Sequence, residues 1–165
     1  FVLPVLSVFN TIPGIVFVGL LFIWLGMQPA TVLIALSIYA MFPILKNTYA
    51  GLVSVDPQYI EAARGCGMPP YQRLYKIEIP LALPTIIGGL RMSTIYTVSW
   101  TVLAAMIGQG GLGTFIYTGI SANDNGLILM GAIPAALLAF ILGSLIDALQ
   151  RKVVPKGMRK EADEL

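Results

Sequence analysis

The chain has no histidine and a single cysteine, Cys66, in 165 residues. The first absence removes the commonest general base and metal ligand, and the second rules out an intrachain disulfide. Charge is scarce too, with Asp, Glu, Lys and Arg making up 11% of the residues. No G-x-x-x-x-G-K-[ST] loop occurs, so any work driven by ATP must draw on a separate subunit. Paired acids within the apolar runs and inverted internal repeats are missing as well. Their absence weighs against a membrane-embedded enzyme and against an ion-coupled secondary carrier. Ten Lys and Arg against eight Asp and Glu leave a net charge of +2, too small an excess to point to nucleic acid.

Apolar side chains are what the chain has in quantity. Hydrophobic residues reach 57% and the mean hydropathy is +0.84. Soluble domains run at about 45–50% apolar residues, and a soluble core of this length cannot hide the excess. The sequence opens on Phe1 inside an apolar run, with no initiator Met and no charged leader, which reads as a fragment lacking its N-terminal part.

Four apolar runs are present, at about 1–27, 30–53, 81–107 and 126–149. At about 1.5 Å per residue, helices of these lengths reach across a hydrocarbon core of about 30 Å. The expected architecture is therefore all-α and polytopic, one transmembrane domain over 1–165. Pro13, beside Asn10, Thr11 and Gly14, predicts a break in the first run, and residues 26–29 a turn. The second run contains Pro43 and ends near Lys46 and Asn47, and the third is interrupted only by Arg91 before the glycine-rich stretch 108–113. A connector with Phe115, Tyr117 and Asp124 leads to the fourth run, and basic residues return in the tail, 150–165. Four crossings place every Lys and Arg except Arg91 on one side. By the positive-inside rule that side is cytoplasmic, and it holds both the tail and the polar segment between the second and third runs.

That segment, 54–80, is the one concentration of charge and proline between apolar runs. Asp56 followed by Pro57 predicts a helix N-cap with proline at the first helical position, and Gly65 and Gly67 a stop about ten residues on. Tyr59, Ile60 and Ala63 can share a face, and Glu61 and Arg64 stand one turn apart, where they can pair weakly. After Pro69 and Pro70, the spacing of Tyr71, Leu74 and Ile77 or Glu78 on one side, with Arg73 and Lys76 on another, predicts an interfacial helix that Pro80 turns back into the membrane.

The order Glu61-Ala62-Ala63, three residues, Gly67, nine residues, Ile77, one residue, Ile79-Pro80 resembles the cytoplasmic loop signature of permease subunits of binding-protein-dependent ABC transporters. The family usually has Leu-Pro at the end, so Ile79 is a mild departure. Thr11-Ile12-Pro13, Asn47-Thr48-Tyr49, Val55-Asp56-Pro57, Gly110-Gly111-Leu112-Gly113 and Asn123-Asp124 resemble the osmoprotectant branch, which moves glycine betaine, carnitine, choline or related quaternary amines. The resemblance implies an ABC importer of type I, with a methionine-permease-like transmembrane domain. The short helix after Asp56 would be a coupling helix seated on a cytoplasmic ATPase, with Glu61, Ala62, Ala63, Arg64, Gly67, Ile77 and Pro80 as its coupling residues. The implied partners are ATPase subunits that bind ATP and Mg, an extracytoplasmic binding protein, a second permease copy, identical or related, and membrane lipid. This chain itself would bind no cofactor and no metal. A permease for methionine or polar amino acids is the alternative within the same family.

Other residues carry weaker expectations. Arg91 lies inside the third run, where a cation costs about 2.5–3.5 kcal/mol on insertion scales, so it either snorkels to the headgroups or serves a pathway. Tyr96, Ser99 and Trp100 beyond it could line a route for a quaternary ammonium through cation–π attraction, or simply pack in the core. Asp147 and Arg151, four apart, suit an interfacial pair. The turn with Gly110, Gly111 and Gly113 reads equally as part of an external gate and as a helix cap.

Overall fold

The computed structural model describes residues 11–105, 108 and 110–154. These form seven α-helices and one π-helical turn: α1 (Gly14–Leu25), α2 (Pro29–Val53), α3 (Pro57–Gly65), α4 (Pro70–Arg73), the π turn (Leu74–Glu78), α5 (Ile79–Ala104), α6 (Leu112–Ala122) and α7 (Asn125–Val153). Among the described residues no strand occurs. Three stretches are long and apolar enough to cross a membrane, Pro29–Val53, Pro70–Trp100 and Asn125–Val153, and α1 is a shorter apolar helix. The first of the four expected runs begins in residues 1–10, which lie outside the described residues, as do 106 and 107 of the third run, 109 of the glycine-rich stretch and all of the tail beyond Val154.

Large apolar side chains stand exposed along these helices, among them Ile23, Met130, Leu137 and Phe140, the last at 74%. A protein surrounded by water does not leave so much apolar surface open, whereas hydrocarbon solvates it without cost. Pro13 breaks the chain where expected, acting as the N-cap of α1. The Tyr39 hydroxyl donates to the Ile12 carbonyl at 2.8 Å, supplying a partner for a backbone acceptor beside that break. Gly26 turns the chain with φ 81°, and the Thr31 hydroxyl donates to its carbonyl at 2.9 Å.

The chain divides into two compact units, Phe1–Phe42 with Ser93–Ser144, and Pro43–Met92 with Leu145–Leu165. In the first, Val18, Val32, Ala35 and Ala104 are buried together, with Phe17, Leu21, Phe22 and Leu36 against them. Small residues permit close contact here. A Cβ on Gly113 would lie 2.7 Å from that of Ala105, and one on Gly119 would lie 2.7 Å from the backbone nitrogen of Ile128. In the second unit α2 and α5 meet along a seam of small residues. A Cβ on Gly51 would stand 3.1 Å from the Ala82 carbonyl, and one on Gly89 would stand 2.6 Å from the Asn47 Cβ and 2.9 Å from the Pro43 carbonyl.

One expectation is overturned. Pro80 does not turn the chain, because helical structure runs from Pro70 through the π turn into α5, with Pro80 in the first turn of α5. In a regular α-helix its ring would press on the Lys76 carbonyl. The wide turn immediately before it takes up the misfit: the Ile79 N–H reaches back five residues to the Leu74 carbonyl, so the helix continues past the proline.

Candidate functional site

The loop 56–80 is built from its first residue. The Asp56 carboxylate accepts from the Gln58 backbone N–H at 2.9 Å and from its side-chain amide at 2.8 Å, while Pro57 occupies the first helical position. At the other end Gly67 has φ +75°, with its N–H on the Arg64 carbonyl at 2.9 Å and the Met68 N–H on the Ala63 carbonyl at 3.1 Å. Those two bonds make a Schellman stop, closed by a residue in the left-handed region. A Cβ on Gly67 would meet nothing within 4 Å, so glycine is required there for its backbone and not for space.

Within α3, Glu61, Ala62 and Arg64 are exposed and Ala63 is buried. Ala63 therefore serves this chain's own packing, and Ala62 is the small residue left exposed. Glu61 and Arg64 do not form an ion pair within 4.0 Å among the described residues; Arg73 and Glu78 do, Nε to Oε1 at 2.7 Å, both largely buried. That pair contradicts the expected separation of Arg73 from the face of Glu78. An α-helix turns about 100° per residue, which puts residues five apart on different faces, and the wider π turn brings them together. Ile77 and Pro80, half-buried, lie in this same segment. Tyr71 and Tyr75 project from it, 73% and 58% exposed, with ring centroids 4.9 Å apart.

The other singled-out residues fall in different settings. Arg91 is half exposed, and its Nε lies 3.1 Å from Oδ1 of Asp147 on α7. Sequence reasoning missed this pair because it sought a partner for Asp147 one turn away. The available signal was that the apolar stretches of α5 and α7 each carry one charge, of opposite sign. Trp100 is half-buried, its ring 5.2 Å from Tyr39 and its indole edge lying directly over Gly14. Tyr39 also meets Phe17 and Phe42 edge-on, at 5.3 and 5.8 Å, giving an aromatic cluster that the sequence did not reveal. Tyr96 and Ser99 are exposed, the Ser99 hydroxyl turned back to its own helix at the Ile95 carbonyl. The structure thus separates Trp100 from the more exposed Tyr96 and Ser99.

At the glycine turn, Gly108, Gly110 and Gly111 all have positive φ, 84°, 76° and 89°. Gly111 is the N-cap of α6, and Gly113 is buried at the Val102 carbonyl. The expected connector is in fact a helix, α6, ended by Asn123 in the left-handed region. Asp124 then accepts from Gly126 N–H at 2.8 Å to start α7. Beside α6, a small apolar cavity of about 130 Å³ is lined by Thr97, Val98, Val102, Leu112, Gly113, Ala135 and Leu138.

Comparison with known proteins agrees with this arrangement. Residues 1–158 match the family described as binding-protein-dependent transport system inner membrane component. The chain is 39% identical over 160 residues to the carnitine transport permease protein OpuCB of Listeria monocytogenes, covering 97% of this chain and 73% of that protein. It is 36% identical over 158 residues to the glycine betaine/carnitine/choline transport system permease protein OpuCB of Bacillus subtilis, covering 96% and 73%. With the osmoprotectant import permease protein OsmW of Salmonella typhimurium it shares 39% over 165 residues, covering 96% and 76%. Among solved structures, a chain of the MetNI methionine ABC transporter in inward-facing conformations superposes with a TM-score of 0.78 at 22% identity, covering 92% of this chain and 74% of that one. The fold is that of a type I ABC importer permease, and on the match over residues 1–158 the chain belongs to the family of binding-protein-dependent transport system inner membrane components, integral membrane subunits of transporters.

Proposed function

We propose that this chain is the permease subunit of an ATP-driven importer that carries a quaternary-amine osmoprotectant, glycine betaine, carnitine or choline, across the cytoplasmic membrane. The observation that carries the substrate class is the set of relatives named for those compounds, 36–39% identical over nearly the whole chain. The methionine transporter is similar in fold at 22% identity, which supports an architecture and not a substrate. In this reading the loop 56–80 is cytoplasmic and seats α3 on a separate ATPase, which binds ATP and Mg. A binding protein delivers substrate from outside, and a second permease copy completes the pathway.

The loop's construction supports the coupling role. A helix capped at both ends, with Glu61, Ala62 and Arg64 exposed, presents a rigid polar surface of fixed length, and α4, the π turn and α5 continue it into an apolar span. Force applied at α3 therefore has a helical route into the membrane. Tyr96, Ser99 and Trp100 remain the proposed pathway residues, and Gly110, Gly111 and Gly113 the proposed external gate; for Arg91, the pairing with Asp147 supports a positioning role in place of the pathway role.

The test is uptake by the assembled transporter, with its ATPase and binding protein, in proteoliposomes. Uptake of labelled glycine betaine, carnitine or choline should require ATP and exceed that of methionine. Glu61→Lys and Gly67→Val should weaken ATPase co-purification and lower uptake together. Uptake that persists without ATP would favour an ion-coupled carrier, and normal uptake in both variants would remove the coupling role of α3.

A further inference from the structure

The unit formed by Pro43–Met92 and Leu145–Leu165 contains the 56–80 loop, the second half of α2, the first half of α5 and the end of α7. Within it α5 is held from one side by the small-residue seam, where a Cβ on Gly89 would press on α2 at 2.6 Å and one on Gly51 of α2 would stand 3.1 Å from α5. The last turns of α7 carry Leu145, Leu149 and Val153 exposed, with Val154 just beyond them buried. A charge pair also joins α7 to α5. Arg91 is the one charged residue of α5, Asp147 the one acid of α7, and the two meet at 3.1 Å.

We propose that the Arg91–Asp147 pair is a positioning tie for transport, holding the last turns of α7 to α5 so that a displacement entering at the 56–80 loop moves both helices. The chemistry favours a permanent link. In surroundings poor in water each ion lacks another solvent, so separating them leaves two uncompensated charges among apolar side chains. A guanidinium also keeps its charge at any pH the cell reaches, so the link does not titrate away from the arginine side. The two positions are half and about one third exposed. They are thus accessible enough to be exchanged without rebuilding a core.

This tie rests on the transport reading above, and the experiment separates the two. The full chain, assembled with its ATPase and binding protein in proteoliposomes, is assayed for amine uptake per ATP hydrolysed. The doubly neutral variant Arg91→Gln/Asp147→Asn leaves no unpaired charge at these positions and should accumulate and hydrolyse ATP normally, with uptake per ATP lowered about fivefold or more. Arg91→Lys should keep most coupling, and the exchange Arg91→Asp/Asp147→Arg should recover it to within about twofold of wild type. Wild-type uptake per ATP in the neutral variant overturns the tie alone, as does an exchange no better than the neutral variant. A wild-type transporter that takes up none of the three amines sinks the functional reading and the tie with it.

Discussion

At Asp56 a single carboxylate satisfies both the backbone and the side chain of Gln58, and this fixes where α3 begins. Its role is geometric, because asparagine offers an acceptor of the same shape without the charge. Asp56→Ala should therefore destabilise the loop by about 1 kcal/mol, while Asp56→Asn should be close to neutral. Limited proteolysis of the 56–80 loop in the purified protein would show it, with faster cleavage for the alanine variant only. Asp56 and Gly67 were legible from sequence because capping is local: acid, proline and glycine at the right offsets need no knowledge of the rest of the chain. Arg91 was not legible. An unpaired cation at mid-membrane costs about 2.5–3.5 kcal/mol, and that number signals that a partner must exist without saying where.

For the elements, the runs at 30–53 and 126–149 coincide to within a few residues with helical stretches long and apolar enough to cross, Pro29–Val53 and Asn125–Val153, since length and hydropathy alone decide what can cross; the third such stretch, Pro70–Trp100, starts well before the expected 81–107. The packing between them was hidden. Gly88 and Gly89 are indistinguishable in the sequence, yet a Cβ on Gly88 meets nothing within 4 Å and one on Gly89 meets the Asn47 Cβ at 2.6 Å. Gly88→Ala should raise thermal stability slightly, by up to about 1 kcal/mol of helix propensity. Gly89→Val should lower it by about 1–3 kcal/mol through overpacking. Melting of the detergent-solubilised chain, followed by circular dichroism, compares them directly, and equal melting would disprove the seam. The continuous helix through Pro80 was also beyond sequence reasoning. Proline marks a break unless the turn before it widens, and nothing in the composition of Leu74–Glu78 announces a π turn.

Over the whole molecule, the orientation derived from basic residues makes a claim about which face of the membrane meets each loop. Cys66 reports on it, being the only cysteine in the chain and exposed at the end of α3. A membrane-impermeant maleimide should label Cys66 in inverted vesicles and leave it unlabelled in intact cells, and the opposite pattern would invert the topology. Added ATPase should slow the labelling if α3 is its seat.

The π turn gives the motif spacing a meaning of its own. Relative to a regular helix it amounts to one inserted residue between Arg73 and Ile79. Deleting one residue of 75–77 would let the segment rewind as ordinary α-helix, with the Leu74 carbonyl and the Ile79 N–H now four apart and the phase of the flanking turns kept. Arg73 and Glu78 would also stand four apart, the spacing at which a regular helix pairs them. The same deletion placed in the regular part of α5 would instead rotate everything N-terminal to it by about 100°. The π turn is therefore a slack link, like a spare tooth in a gear train, able to give up one residue of the interval from Gly67 to Ile77 without re-aiming α3.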